Sequence, residues 1–151
     1  MRFAVIVARY HDFVTERLQA GAIEALAAAD VASDDITVIH VPGSFEIPLA
    51  SQRAAETGRF DAIICLGCLI KGQTAHFEYI ASAVSGGITR AAAETGVPMA
   101  FGVLTTNSAE EAIERAGTQT SNKGWEAAMA AVEMATLIRQ LARTTPDGVR
   151  V

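Results

Sequence analysis

Basic residues are scarce in this chain and nowhere form a block. With 17 acidic and 12 basic residues the net charge is −5. No stripe of aromatic and basic residues offsets that balance, which excludes a general nucleic-acid binder and leaves small molecules as the phosphate carriers it could hold. Long apolar runs are missing too. The N-terminal run Phe3–Ala8 has 6 residues before Arg9, too few for a signal-peptide core or a bilayer span. The expectation is a soluble cytoplasmic protein without a membrane partner. Cysteine is limited to Cys65 and Cys68. Their C-x-x-C spacing suggests redox or zinc chemistry, but both fall at the end of an apolar strand pattern. Residues three apart on a strand face opposite ways and lie roughly 10 Å apart, beyond the roughly 7 Å between Cα atoms that a disulfide tolerates. The three histidines, His11, His40 and His76, stand at no zinc-like spacing, so no metal is expected.

What is present is apolar residue: half of the 151 residues are hydrophobic, enough for one domain with a sizeable core, spanning 1–151. Phe3–Ala8 (FAVIVA) reads as a strand covered on both faces. From Asp12 the residues Val14, Leu18, Ala22, Ala25, Leu26 and Ala29 recur at helical spacing. Turn chemistry at Ser33–Asp35 leads to a β-branched second strand, Ile36–Val41, which Pro42-Gly43-Ser44 stops. Residues 49–57 read as a helix closed by Gly58. A third strand over 61–66 is followed by a helix from Phe77 to Thr95 that Gly96 and Pro98 end, and a fourth strand covers 99–104. Ser108 and Glu111 have the spacing of a capping box, starting a short helix that ends near Arg115. A polar loop, 118–122, precedes a last helix whose apolar face is Ala128, Ala131, Met134, Ala135, Ile138 and Leu141. The tail 144–151 shows no period and is expected to fray.

Strands alternating with helices imply an α/β fold, a three-layer αβα sandwich around a four-stranded parallel sheet, flavodoxin-like. Ligands in such sheets sit beyond the strand C-termini. Tyr10 and His11, Phe45 and Glu46, the 67–76 loop and residues 104–107 all follow strands and are expected to share one rim.

The stretch 67–79, GCLIKGQTAHFEY, passes from a buried strand to a helix. It can be a plain βα turn, or an anion site where unpaired backbone N–H groups meet the positive end of the helix dipole. Gly67-x4-Gly72-Gln73-Thr74 falls one residue short of a Walker A loop, but the missing Lys is the residue that reaches the terminal phosphates. No carboxylate ends the fourth strand, so an NTPase is not expected. His76 admits two roles, satisfying backbone groups at a helix start or moving a proton near neutral pH. Arg115 and Lys123 read as surface charge, unless a second subunit's loop brings Arg115 to the phosphate as a bidentate cation.

Four motifs, PGSFEIP at 42–48, CLGCLIKGQTAHFEY at 65–79, GVPMAFGVLTT at 96–106 and ERAGTQTSNKG at 114–124, occur in an order and at separations that resemble the lumazine synthase family across nearly the whole chain. The resemblance implies condensation of 5-amino-6-ribitylamino-uracil with 3,4-dihydroxy-2-butanone 4-phosphate to 6,7-dimethyl-8-ribityllumazine, in riboflavin biosynthesis, with no cofactor or metal. It implies that Tyr10 stacks on the pyrimidine, that Phe45 and Glu46 hold the ribityl side with Ser44 also binding substrate, and that the backbone at Leu69 and Ile70 meets the ring edge. Gln73 and Thr74 match the phosphate loop and His76 the proton-transfer histidine. Phe101, Arg115 and Lys123 would come from the adjacent subunit. The family assembles as pentamers, which in some members close into a hollow icosahedral shell; riboflavin synthase is the implied partner of that shell. The 115–123 loop carries no insertion of the kind that goes with open pentamers, whereas the chain starts directly at its first strand, so the expectation is a pentamer, with closure into a shell kept as an alternative. Three positions depart from the commoner pattern: Tyr10 for Phe or Trp, His11 for Asn, Gln119 for Lys. Tyrosine keeps the stacking face. The other two leave a non-catalytic binder of ribityl compounds, or a shell protein, as the competing class.

Overall fold

The computed structural model describes residues 1–72, 76–145 and 148–149. Strand β1 is Phe3–Ala8, and all 6 of its residues are buried. Helix α1 spans Asp12–Ala28, β2 Ile36–Val41, α2 Ile47–Glu56, β3 Ala62–Ile70, α3 Phe77–Thr95, β4 Met99–Thr106, α4 Ala109–Glu114 and α5 Lys123–Ala142. The first four strands form one sheet in the order β2-β1-β3-β4, every pair parallel. This is the expected flavodoxin-like three-layer sandwich. The order reverses between β1 and β3, which places the ligand crevice beyond their C-terminal ends.

Strand alternation divides the core. Phe3, Val5 and Val7 of β1 join Ile64, Leu66, Cys68 and Ile70 of β3 beneath α1 and α5. Ala4, Ile6 and Ala8 join Ile63, Cys65 and Leu69 beneath α2 and α3. Each large aliphatic side chain fully buried this way contributes about 1.5–3 kcal/mol of transfer free energy. The same alternation puts the two cysteines on opposite faces as free thiols.

Several boundaries differ from expectation for identifiable reasons. β3 continues past Leu66 through Gly67 to Ile70, because β4 runs on to Thr106 and supplies ladder partners as far as Ile70↔Thr106. Gly67 is therefore a strand residue, not part of the loop. α2 begins at Ile47 behind a 3-10 turn, Ser44–Glu46, with Pro48 in its first turn where its missing N–H costs nothing. The capping box is present with its return bond displaced. Glu111 N–H donates to Ser108 Oγ at 3.1 Å, while Glu111 Oε2 accepts the Asn107 N–H at 3.2 Å.

The expected apolar face of α5 is only half right. Ala128, Ala131 and Ala135 are buried, together with Gly124 and Ala127, but Met134, Ile138 and Leu141 are exposed. α5 packs through its small residues, which lets its backbone approach α1 and turns the larger side chains outward. At the C-terminus Thr144–Thr145 pairs antiparallel with Gly148–Val149, a short ladder where no period gave warning of one.

Candidate functional site

Backbone pairing between β1 and β2 outlasts the strands. Arg9 N–H donates to Val41 O at 2.8 Å and Tyr10 N–H to Pro42 O at 3.0 Å, so Tyr10 is held beside the 42–43 turn. A Cβ at Gly43 would come within 3.9 Å of Tyr10 Cβ and 3.3 Å of Glu46 Oε1. Gly43 thus lies between those two residues and keeps the space over the turn open. Tyr10 is 56% and Phe45 62% exposed, large rings left uncovered at a strand tip. Ser44 is turned the other way. It is buried, and its hydroxyl occupies the space a Cβ on Gly67 would need. Its side chain is packing against β3.

His11 caps the start of α1 in the left-handed region, φ 62°, ψ 47°, with no side-chain cap bond. Its carbonyl accepts the N–H groups of Val14 and Thr15 at 2.9 and 3.1 Å. Its ring sits between those of Tyr10, centroids 4.4 Å apart, and Phe13, 5.8 Å away. Nε2 is buried and has no hydrogen-bond partner among the described residues. That desolvation lowers the imidazole pKa from its ordinary value.

Beyond the 44–46 turn lies the end of β3. Its ladder with β1 stops at Val7↔Leu66, whereas its ladder with β4 continues. Lys71 N–H donates to Thr106 O at 2.8 Å, so odd-numbered residues here direct their backbone groups to β4 and even-numbered ones away from it. The backbone of Ile70 therefore points away from β4, to the side where β1 has ended, and that of Leu69 is committed to β4. Both side chains are buried. Lys71 and Gly72 are exposed, Gly72 at φ 85°, a conformation glycine adopts without steric cost. Gln73 and Thr74, expected in the phosphate loop, lie outside the described residues. His76 is exposed and immediately precedes α3, with no side-chain cap bond and its ring centroid 6.1 Å from that of Tyr79.

Arg115 and Lys123 form a second group. Both line a groove of about 410 Å³ with Leu104, Thr105 and Glu126. Arg115 Nη2 lies 3.1 Å from Glu111 Oε1, and Lys123 Nζ 3.3 Å from Glu126 Oε1. Phe101 is 39% exposed on β4. It pairs with Cys65, five register steps before Ile70↔Thr106, hence roughly 16 Å below the strand tips. It lies off the rim that Tyr10, Phe45 and His76 occupy on the same chain.

Among the described residues no three His, Cys, Asp or Glu side chains gather as a metal would need, and no helix is long and apolar enough to cross a membrane. Burial pushes the Cys65 thiol up to about 12 and the Cys68 thiol up to about 11. Neither is poised as a nucleophile. One residue that patterning overlooked is Asn122, a buried amide between the two cations. Its sequence signals are its place in the motif at 114–124 and its position before a helix, where Asn is a common cap.

Comparison with known proteins gives the family of the chain. The family model for 6,7-dimethyl-8-ribityllumazine synthase matches residues 1–139. A protein of that name from Syntrophus aciditrophicus (strain SB) is 52% identical over 141 residues, covering 93% of this chain and 92% of the relative. Another from Desulfatibacillum aliphaticivorans is 49% identical over 139 residues, covering 92% and 90%. An α/β sandwich with aromatic and imidazole groups at its switch point and a two-cation groove beside its edge strand is thus the form taken here by a chain that belongs to the 6,7-dimethyl-8-ribityllumazine synthase family.

Proposed function

We propose that the protein condenses 5-amino-6-ribitylamino-uracil with 3,4-dihydroxy-2-butanone 4-phosphate to give 6,7-dimethyl-8-ribityllumazine. The carrying observation is the family match over residues 1–139. The uracil amine attacks the ketone and one water leaves as the imine forms. Phosphate is eliminated, and closure of the second ring releases another water. None of these steps needs a covalent bond to the protein. Holding the two substrates in a near-attack pose supplies much of the effect, and a positioned proton carrier adds about 10²–10⁴-fold.

In this reading Tyr10 stacks on the pyrimidine, Phe45 and Glu46 with the Ser44 backbone receive the ribityl chain, and the Ile70 backbone meets the ring edge with Leu69 behind it. Gln73 and Thr74 cradle the phosphate, and His76 moves the proton. His76 suits that task because it is exposed and makes no cap bond that would occupy its ring. Phe101, Arg115 and Lys123 complete the neighbouring subunit's site, where Arg115 stabilises the departing phosphate. Two observations favour sharing between subunits. Phe101 lies far down β4 from its own rim, and Tyr10, Phe45 and Tyr79 leave large apolar surface that a second copy would cover. The assembly is a homopentamer of the cytoplasm, free to close into a shell around riboflavin synthase. Incubation with both substrates should yield a fluorescent lumazine and one equivalent of phosphate. Binding without turnover would instead make this a ribityl-compound carrier.

A further inference from the structure

Asn122 is 3% exposed and uses its amide fully as a donor. Nδ2 donates to Gly117 O at 2.9 Å, within its own loop, and to Arg17 O at 3.0 Å, on α1. Oδ1 accepts the Trp125 N–H at 3.1 Å, capping α5. A cap alone would be served as well by Ser, Thr or Asp. The two donated bonds require an amide. Room for it comes from Gly21 of α1, where a Cβ would overlap the Asn122 amide, and a Cβ at Gly124 would overlap the Leu18 backbone. Glycine inside a helix costs about 1 kcal/mol relative to alanine, and at Gly21 that cost admits the Asn122 side chain to the α1 backbone.

The loop so anchored carries both cations. Lys123 N–H donates to Arg115 O at 2.8 Å, and Ala116 bridges Asn122 next to it. From this we infer that Asn122 is a positioning residue for phosphate recognition. By fastening the 115–123 loop to α1 it fixes where Arg115 and Lys123 stand relative to each other and to the sheet. The inference rests on the reading of Arg115 as a phosphate ligand. Asn122 touches no substrate itself.

The sharpest variant is Asn122→Asp, which keeps the cap acceptor and removes both donors. It should lower kcat/KM for the butanone phosphate about tenfold, the order expected from two lost neutral hydrogen bonds, and weaken competitive inhibition by inorganic phosphate in parallel. KM for the ribitylamino-uracil should stay within about twofold, since its contacts lie on another loop. Gly21→Ala, made outside the loop, should reproduce this selective loss by displacing the amide. Combined with Asn122→Ala it should add nothing further, as two changes acting on one contact do not sum. Unchanged phosphate inhibition in a folded Asn122→Asp protein overturns the inference, as does an equal loss for both substrates. Arg115→Ala separates the two levels. If it weakens phosphate binding while Asn122→Asp does not, only the positioning role fails. If Arg115→Ala has no effect, the phosphate assignment fails beneath it.

Discussion

The carbonyl of Arg115 accepts the Lys123 N–H at 2.8 Å, so the two cations leave the chain from the two ends of one closed turn. Each is held by a carboxylate of its own chain, Arg115 by Glu111 at 3.1 Å and Lys123 by Glu126 at 3.3 Å. The Arg115 side chain is 57% exposed, and ion pairs at such exposure contribute about 0–1 kcal/mol. A doubly charged phosphate can displace these partners at little cost. Arg115→Ala should therefore raise KM for the butanone phosphate about ten- to a hundredfold, the range for a hydrogen bond to a charged group. Its unfolding midpoint in urea should barely move. Steady-state kinetics on both substrates, with a urea titration beside them, checks this.

Gly67 and Ser44 form a packing pair that holds the 44–46 turn against β3. A Cβ on residue 67 would overlap the Ser44 hydroxyl and come 3.1 Å from Ile47 Cδ1. Gly67→Ala should destabilise the fold by about 1–3 kcal/mol, as overpacking of a well-filled site does. Adding Ser44→Gly should recover part of that loss. Denaturant melts of the single and double variants read the coupling directly, and simple additivity would mean the two residues do not share the space.

Burial holds Cys65 at about 12 and Cys68 at about 11, against 9.0 for a free thiol. In the unfolded chain both ionise near 9, while the folded protein keeps its protons. The unfolded state then binds fewer protons, so stability is fully present below pH 9 and falls as pH rises from there towards 12. Cys65→Ala should flatten that decline while lowering stability at pH 7. A thiol reagent at pH 8 should label neither cysteine until denaturant is added.

How much could be read beforehand follows from where the deciding contact lies. β1 and the start of α3 were legible because FAVIVA and the break before Phe77 carry their own signal. The overrun of β3 was not, because Gly67 looks like a stop until Ser44 is seen filling the space beside it. On α5 the period is helical throughout, but which of two neighbouring stripes is buried depends on how closely α1 approaches, and Gly21 and Gly124 decide that from separate elements. Tyr10, Phe45, Glu46 and His76 announce themselves by following strands. Arg115 and Lys123 look like surface charge; a phosphate site's need for a cation raised Arg115 as a second subunit's contribution, and the family resemblance singled out both.

His11 stands at a left-handed position that asparagine occupies more easily. Its burial lowers its pKa below 6.5. In acid the unfolded chain takes up a proton before the folded one does, so this group's contribution is present above pH 6.5 and is lost as pH falls through the lowered value. His11→Asn should remove that part of the acid sensitivity, which the difference between variant and wild-type melting temperatures at pH 7.5 and pH 5 isolates from every other titrating group. It should also loosen the Tyr10 ring, which loses its neighbour at 4.4 Å, and raise KM for the ribitylamino-uracil but not for the phosphate ester.

If His76 and Arg115 act in one site from two chains, complementation follows from symmetry. His76→Ala should slow turnover about a hundredfold or more while leaving the fold intact, because that residue supplies no side-chain cap to α3. Arg115→Ala should be slow at low butanone phosphate for a different reason, its raised KM. In a ring where each site lies between neighbours, dissociating and reassembling the two variants in equal amounts leaves about a quarter of the sites with native residues at both positions. Activity at low butanone phosphate should then rise to about a quarter of the wild-type value. Co-assembly verified by mass, with activity no higher than the mean of the two parents, would mean that each chain carries both residues into its own site.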